Sequence, residues 1–268
     1  MKFLICVEGS PAADAAARVG AELARLANAE TVKLRVANSQ REAERHRGTA
    51  SLLRVGNPVQ EILAEATQGN FDLIVVAQHA RSRLTEMFMG STASRLAKQS
   101  PVPLLVIKAE SQLATLPINR ILVCTGGEAP GEICAHWGGR VAAWTGASLT
   151  LLHVMSQIAF NEKSKLDELD DSAEEAMHQR TREGLHLQKV LTLARDAGAW
   201  DEVKPKIRHG LVLDEILDES RAGSYDLVVI GAHSVPDDAP LRNLMLEDIA
   251  DQIIAQCPKN VLVVRAKR

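Results

Sequence analysis

The chain has 268 residues, of which 46% are apolar and 24% charged, and its formal net charge is -3. That is the size and composition of one large or two small globular domains. The slight acidity argues against bulk attraction to nucleic acid or an anionic membrane surface, and 3% aromatic residues are too few for base-stacking platforms.

Cys6, Cys124, Cys134 and Cys257 are scattered without a CxxC pair, which fits neither a disulfide framework nor a zinc site. The apolar run in MKFLICVEGS is too short for a signal peptide, and nowhere do about 18 apolar residues follow one another. The expectation is a reduced cytoplasmic protein without a membrane span and with no nucleic-acid partner.

In chain order, Phe3–Ser10 (FLICVEGS) opens with an apolar, β-branched strand. Ser10 and Pro11 then read as the N-cap and first residue of a helix, with Val19, Leu23 and Leu26 on one face. The second crossover is short, Ser39–Arg54, with about two helical turns and a Ser39…Glu42 capping box. Asn57-Pro58 starts the next helix and Gly69 ends it. DLIVVA, from Asp72, suits a strand buried on both faces, and PLLVIK ends the first half at Lys108. Residues 109–119 read as a linker.

The same plan then repeats. ILVCTGGE, from Ile121, matches FLICVEGS and sets Cys124 opposite Cys6. A helix follows with Ile133, Trp137, Val141 and Trp144 as its apolar stripe, ended by Gly146. The second crossover is far longer here, Ser156–Arg208, with a long helix expected from a Ser172…Glu175 capping box to Gly198. Val55–His79 then aligns without gaps on His209–His233, pairing Gly56 with Gly210, Glu61 with Glu215, Glu65 with Glu219, Gly69 with Gly223 and Asp72 with Asp226. NVLVVR, from Asn260, repeats PLLVIK. The fold class is therefore α/β: two tandem, doubly wound, five-stranded parallel-sheet domains, 1–110 and 119–268, the second carrying a helical insertion at 156–198.

In open α/β sheets ligands bind beyond the carboxyl ends of the strands, where strand order reverses. That selects Val7–Ser10 and Ala77–Ser91 in the first half, and Thr125–Gly127 and Gly231–Asp248 in the second. The stretch Asp72–Lys108, DLIVVAQHARSRLTEMFMGSTASRLAKQSPVPLLVIK, resembles the signature of the universal stress protein family, and the resemblance extends over nearly all of both halves. It implies an adenine nucleotide alpha hydrolase-like fold. It also implies a first strand ending in Asp and a second strand whose end holds adenosine, followed by a Gly-x2-Gly-x9-Gly-Ser loop on the phosphates.

Transferred onto the first half, these positions are Glu8, Ala37, Ala77, Ala80, Gly90 and Ser91, followed by Thr92. Gly90-Ser91 can still open a helix toward an anion, with Arg81 and Arg83 nearby. The early glycines have become Ala77 and Ala80, and the Asp has become Glu8. In the second half the Asp position is Gly126. Gly231 remains, Ser234 replaces a glycine, and Glu247-Asp248 stand where the Gly-Ser pair would be, as carboxylates that repel phosphate.

The reading is a stress-response regulatory or binding protein with a degenerate nucleotide site in domain 1, taking ATP with magnesium, and none in domain 2. The alternative is a slow ATPase acting through the domain 1 loop. No GxSxG elbow, Walker motif or nucleophile–base–orienter set appears, which weighs against an enzyme. An altered ligand in a pocket no longer shaped for ATP is the third reading. His79 and His233, and His178 and His186, are read as packing residues. Cys134 is read as inert, although a helix start lowers a thiol's pKa. Partners are expected to be proteins of unknown identity. The resemblance implies that the final strands pair within the chain as a pseudo-dimer, with a further homodimer left open.

Overall fold

The computed structural model describes residues 1–78, 92–108, 118–126, 128–155, 173–199, 202–232 and 249–265. It divides by contacts into one unit formed by Met1–Pro117 with Pro258–Arg268, and a second formed by Ile118–Cys257.

The first unit runs β1 (Lys2–Cys6), α1 (Pro11–Leu26), β2 (Glu30–Ala37), α2 (Gln40–Arg45), β3 (Leu52–Val55), α3 (Pro58–Gln68), β4 (Leu73–Gln78), α4 (Thr92–Gln99) and β5 (Leu104–Lys108). Its strands lie in the order β3-β2-β1-β4-β5, all parallel. The chain's last strand, Asn260–Arg265, adds to β5 in antiparallel register, Leu262 opposite Leu105. Asn260 Oδ1 accepts the Lys108 N–H at 3.0 Å, and Arg265 donates to the Ala97 carbonyl at 3.1 Å. Phe3, Leu4, Ile5, Ile74, Val75, Leu104 and Leu105 are fully buried or nearly so, as a sheet with helices on both faces requires.

The second unit runs β6 (Arg120–Cys124), α5 (Glu128–Thr145), β7 (Ser148–Met155), α6 (Ala173–His178), α7 (Arg182–Asp196), β8 (Val203–His209), α8 (Val212–Ala222), β9 (Leu227–Ala232) and α9 (249–256). Its parallel strands lie in the order β9-β6-β7-β8. β8 ends this order and has the sequence VKPKIRH, where a proline is tolerated and lysines discourage further pairing. In both units the chain starts in the middle of the sheet, winds outward to one side, then crosses to the other. The reversal falls between β1 and β4, and between β6 and β9. The α/β, doubly wound reading of both repeats is thus observed.

Local signals explain most helix boundaries. The Ser10 hydroxyl accepts the Ala13 N–H at 3.1 Å, and Asn57 Oδ1 accepts from Val59 and Gln60. The capping box at α2 forms with a shift: Ser39 accepts from Glu42 N, while the Glu42 carboxylate reaches Asn38 N. Gly69 and Gly223 turn out to be spatial necessities. A Cβ there would lie 2.2 Å from the Phe71 ring and 2.0 Å from the Tyr225 ring.

Two expectations need correction. The long helix of the insertion is two helices, broken at Arg180, whose φ of 55° lies in the left-handed region. Thr181 caps the second by accepting from Gly184 N at 3.0 Å. Gly184 lets the two helices touch, because a Cβ would fall 2.0 Å from the Ala176 carbonyl oxygen. The capping residue predicted for the first, Ser172, lies outside the described residues. The apolar stripe of α5 also differs. Of Ile133, Trp137, Val141 and Trp144 only Val141 is buried, and the inward face consists of Cys134, Ala135, Gly138, Gly139 and Ala142. Small residues win because neighbours come close: a Cβ on Gly138 would meet Val123 at 2.5 Å, and one on Gly139 the Ala194 carbonyl oxygen at 2.3 Å. The tryptophans pack edge to face at 6.3 Å under the Arg140 guanidinium.

Candidate functional site

The carboxyl ends of β2, β1 and β4 bring together Ala37, Glu8 and Ala77 in the first unit, with Thr92 opening α4. Glu8 is exposed, and its carboxylate accepts the Ser10 hydroxyl at 3.3 Å. Ala37 is buried, and its carbonyl accepts the Gly56 N–H. Ala77 is part of β4, paired with Ile107, so this alanine sits in extended backbone and carries none of the strain that a left-handed loop position would impose. Thr92 is exposed. Ala80, Gly90 and Ser91, together with Arg81 and Arg83, lie outside the described residues, as do His79, His233, Ser234, Glu247 and Asp248.

A residue absent from the sequence reading dominates this edge. Arg35 on β2 is 8% exposed, and its guanidinium donates to the Glu8 carbonyl at 2.9 Å. Gly9 has φ +81°, and a Cβ there would lie 2.9 Å from Arg35 Nη2. The glycine therefore serves both a left-handed turn and the close approach of a cation to the loop after β1.

The second unit places a different group at the same point. Strand register makes the positions equivalent: Cys6 faces Leu34 across β1 and β2, Cys124 faces Leu152 across β6 and β7, and the residues that follow are Arg35 and His153. His153 Nδ1 lies 3.1 Å from the Thr125 carbonyl oxygen, and His186 Nε2, from α7, lies 2.9 Å from the same atom. A carbonyl only accepts, so each nitrogen carries the proton of its bond. The two rings are 5.1 Å apart. Burial pushes the pKa of His153 down, outweighing the Thr125 bond and Glu183, which act upward; the neighbouring His186 and His209 add to the depression. Gly126, where the first-strand carboxylate of an adenosine site would stand, has open space around its Cβ position.

The cysteines fit the inert reading. Burial pushes the thiols of Cys124 and Cys134 up, and that of Cys6 up to about 12. Cys134 lies in the second turn of α5, where burial outweighs the backbone hydrogen bond that acts to lower its pKa. Among the described residues no group of three His, Cys, Asp or Glu side chains is disposed to hold a metal ion. No described helix is long and apolar enough to cross a membrane.

The model of the universal stress protein family matches residues 30–108 and 117–265. The chain belongs to the universal stress protein family. As a tandem universal stress protein it resembles, over 99% of its own length and 92% of the other chain, a functionally unknown protein of Pseudomonas aeruginosa PAO1, at 16% identity and a TM-score of 0.68. It also resembles a universal stress protein of Archaeoglobus fulgidus DSM 4304, with 98% of each chain covered, 15% identity and a TM-score of 0.64. At such identities the likeness speaks for the fold alone. No curated protein matches the sequence.

The strand ends predicted from the sequence lie at the reversal of strand order, and the basic groups beside them, Arg35 and His153, carry no sequence signal. Arg35 and His153 follow the repeated first-strand cysteines by register rather than by sequence motif, so neither stands out in a linear scan. His186 and His209 likewise carry no motif that would pair them with His153 in the sequence.

Proposed function

We propose that this universal stress protein is a cytoplasmic regulatory binding protein of the stress response, with an altered nucleotide site in its first repeat and none in its second. What supports it most is the divergence of the two strand ends. The first keeps a carboxylate, Glu8, and a helix start at Thr92, and adds the buried cation Arg35. The second has the Thr125 carbonyl covered by two imidazoles and Gly126 in place of the carboxylate.

In the first repeat, ATP with magnesium would meet Glu8 and the ends of β2 and β4 at Ala37 and Ala77, with phosphates toward Ala80, Gly90, Ser91 and Thr92. A helix start offers free N–H groups to an anion, and Arg35 adds charge at the sheet edge. In the second repeat Glu247 and Asp248 would repel the same phosphates. Final-strand pairing inside the chain, as in a pseudo-dimer, leaves signalling to protein partners or to a looser homodimer.

Calorimetry with magnesium-ATP tests this on the intact chain. The expected result is about one site per chain, lost in Ser91→Glu and retained in Asp248→Ala. No heat and no thermal shift at millimolar ATP would overturn nucleotide binding. ATP consumption by the same sample, abolished by Ser91→Glu, would favour a slow ATPase over a binding module.

A further inference from the structure

The second crossover of the second unit carries α6 and α7, for which the first unit has only the short α2. α7 is tied to the carboxyl end of β6 by His186, whose ring also packs on Gly131 at the start of α5; a Cβ there would lie 3.2 Å from the imidazole. The Thr125 carbonyl has two lone pairs, and His153 and His186 take both. Thr125 itself is fully buried, its amide and hydroxyl both bonded to the Leu152 carbonyl. Behind this pair, at the end of β8, His209 has both ring nitrogens buried with no hydrogen-bond partner among the described residues.

With the tautomers these bonds demand, His153 Nε2 and His186 Nδ1 are bare, and so is one nitrogen of His209. Three imidazole lone pairs therefore gather at one strand edge, and no described group of three such ligands is arranged for a metal. What they accept is protons. One proton is tolerable, but charging both rings of a pair 5.1 Å apart, beside a third imidazole, sets like charges against each other in a half-buried site.

We propose that the His153–His186 pair is an acid-released clasp, which holds α7 over the carboxyl end of β6 while neutral and lets it go when both rings are protonated. The charged groups around it can be assigned. On α7, Glu183 lies one turn before His186 and favours the charged form of His153, and Lys189 is paired with Glu132 of α5. On α5, His136 sits beside Arg140, which together with burial disfavours its charging. On β8, Arg208 is bound to Glu215 and Glu219. On α6, Glu175 accepts from Gln179, Glu174 lies in the same first turn, and His178 lies at the last residue. Among the described residues Glu183 is the carboxylate that acts on the pair, and one carboxylate offsets one proton.

The sign follows from His153. Its folded pKa lies below the ordinary 6.5, so the unfolded or released state binds more protons, and the clasp weakens as pH falls through 6.5. Above that pH His153 is neutral and the clasp is fully formed.

Hydrogen exchange on the full chain at pH 7.5 and pH 5.5, corrected for intrinsic rates, tests this. Amides of α7 are expected to exchange at least about ten-fold faster at pH 5.5, with β1, β4 and α1 of the first unit unchanged. In a His153→Gln/His186→Gln double variant, which keeps amide donors for Thr125 but cannot titrate, the α7 rates should no longer depend on pH. Equal protection at both pH values in the parent, a pH dependence that survives in the double variant, or loss of protection in both units alike would each overturn the proposal. If the double variant does not fold, ring-proton titration of the parent decides. Two coupled steps shared by His153 and His186, accompanied by shifts of the α7 amides, support the clasp, whereas independent titrations with stationary α7 amides refute it.

Discussion

Glu219 offers the sharpest test of how the second unit is held together. It is 4% exposed, and its carboxylate accepts from Lys206 at 2.6 Å, Tyr225 at 2.8 Å and Arg208 at 2.9 Å. Burial acts to raise its pKa, yet the bonds from Lys206, Tyr225 and Arg208 outweigh it and the pKa is lowered. Replacing Glu219 by Ala leaves three donors to be re-solvated. Lys206 is 44% exposed and can turn to water, a loss of about 0–1 kcal/mol. Arg208 keeps Glu215. The Tyr225 hydroxyl is buried and loses its carboxylate acceptor, keeping the Thr150 hydroxyl beside it, which costs about 1–3 kcal/mol. The expected loss is roughly 1–4 kcal/mol, or about 3–12 °C in the melting temperature of a unit this size. Glu219→Gln keeps an oxygen for Tyr225 and should lose about half as much. All three tryptophans, Trp137, Trp144 and Trp200, and the single tyrosine fall within Ile118–Cys257, so urea unfolding followed by fluorescence reads this unit selectively. The lowered pKa adds a signature. The carboxylate's contribution is present above pH 4.5 and is lost as pH falls through the folded value, so parent and Glu219→Ala should converge in acid. A loss under about 0.5 kcal/mol at pH 7, or a larger loss in Lys206→Ala than in Glu219→Ala, would refute the reasoning.

Three further outcomes are expected. Gly139→Ala should cost about 1–3 kcal/mol in the same urea assay, because its Cβ falls on the Ala194 backbone where α5 and α7 touch, whereas Gly126→Ala, with open space around it, should stay within about 0.5 kcal/mol; equal effects would contradict the packing described. Gly9→Ala should destabilise the first unit by about 1–2 kcal/mol or more, through its φ of +81° and the guanidinium against it, read by the loss of exchange protection in β1 and β2; unchanged protection would argue against a left-handed turn there. In the native protein at pH 8, Cys124 and Cys134 should resist a thiol reagent over hours and Cys6 should react slowly, all three labelling at once in urea; rapid native labelling of Cys134 would mean that its helix start wins over burial.

The sequence displays those parts of the fold that rest on local chemistry. Strands buried on both faces read as apolar runs, and caps at Ser10, Ser39 and Asn57 appear because a hydroxyl or amide oxygen must meet free N–H groups within three residues. The break at Arg180 was hidden because no Gly or Pro marks it. It is set by the contact of α6 with α7 at Gly184, which is a tertiary fact. The α5 stripe misled for a related reason. Large apolar residues at helical spacing usually face the core, but here the neighbouring helix and strand come so close at Gly138 and Gly139 that small residues, with Cys134, Ala135 and Ala142, fill the inward face. The point where strand order reverses was legible from the βα repeat, and that is where α/β sheets generally meet ligands. Its occupants were not, because Arg35 and His153 act across strands, on a carbonyl that no motif encodes.

The same internal comparison shows how the two repeats came to differ. Arg54 and Glu65 in the first unit correspond to Arg208 and Glu219 in the second, and both pairs are joined, at 2.7 Å and 2.9 Å. The brace from the third strand to the helix that follows it is therefore common to both. At the carboxyl edge the strand-two residue likewise bonds a carbonyl of the first loop in both units, through a guanidinium in one and an imidazole in the other. A guanidinium keeps its charge at every physiological pH, while an imidazole changes charge near neutrality. With the same backbone register, one unit holds a permanent cation where an anionic ligand would arrive. The other holds a proton-dependent contact and a long crossover that only this unit possesses. The proposed division of labour, with an anion site in the first repeat and an acid-released clasp in the second, rests on that single exchange of basic groups at one register position.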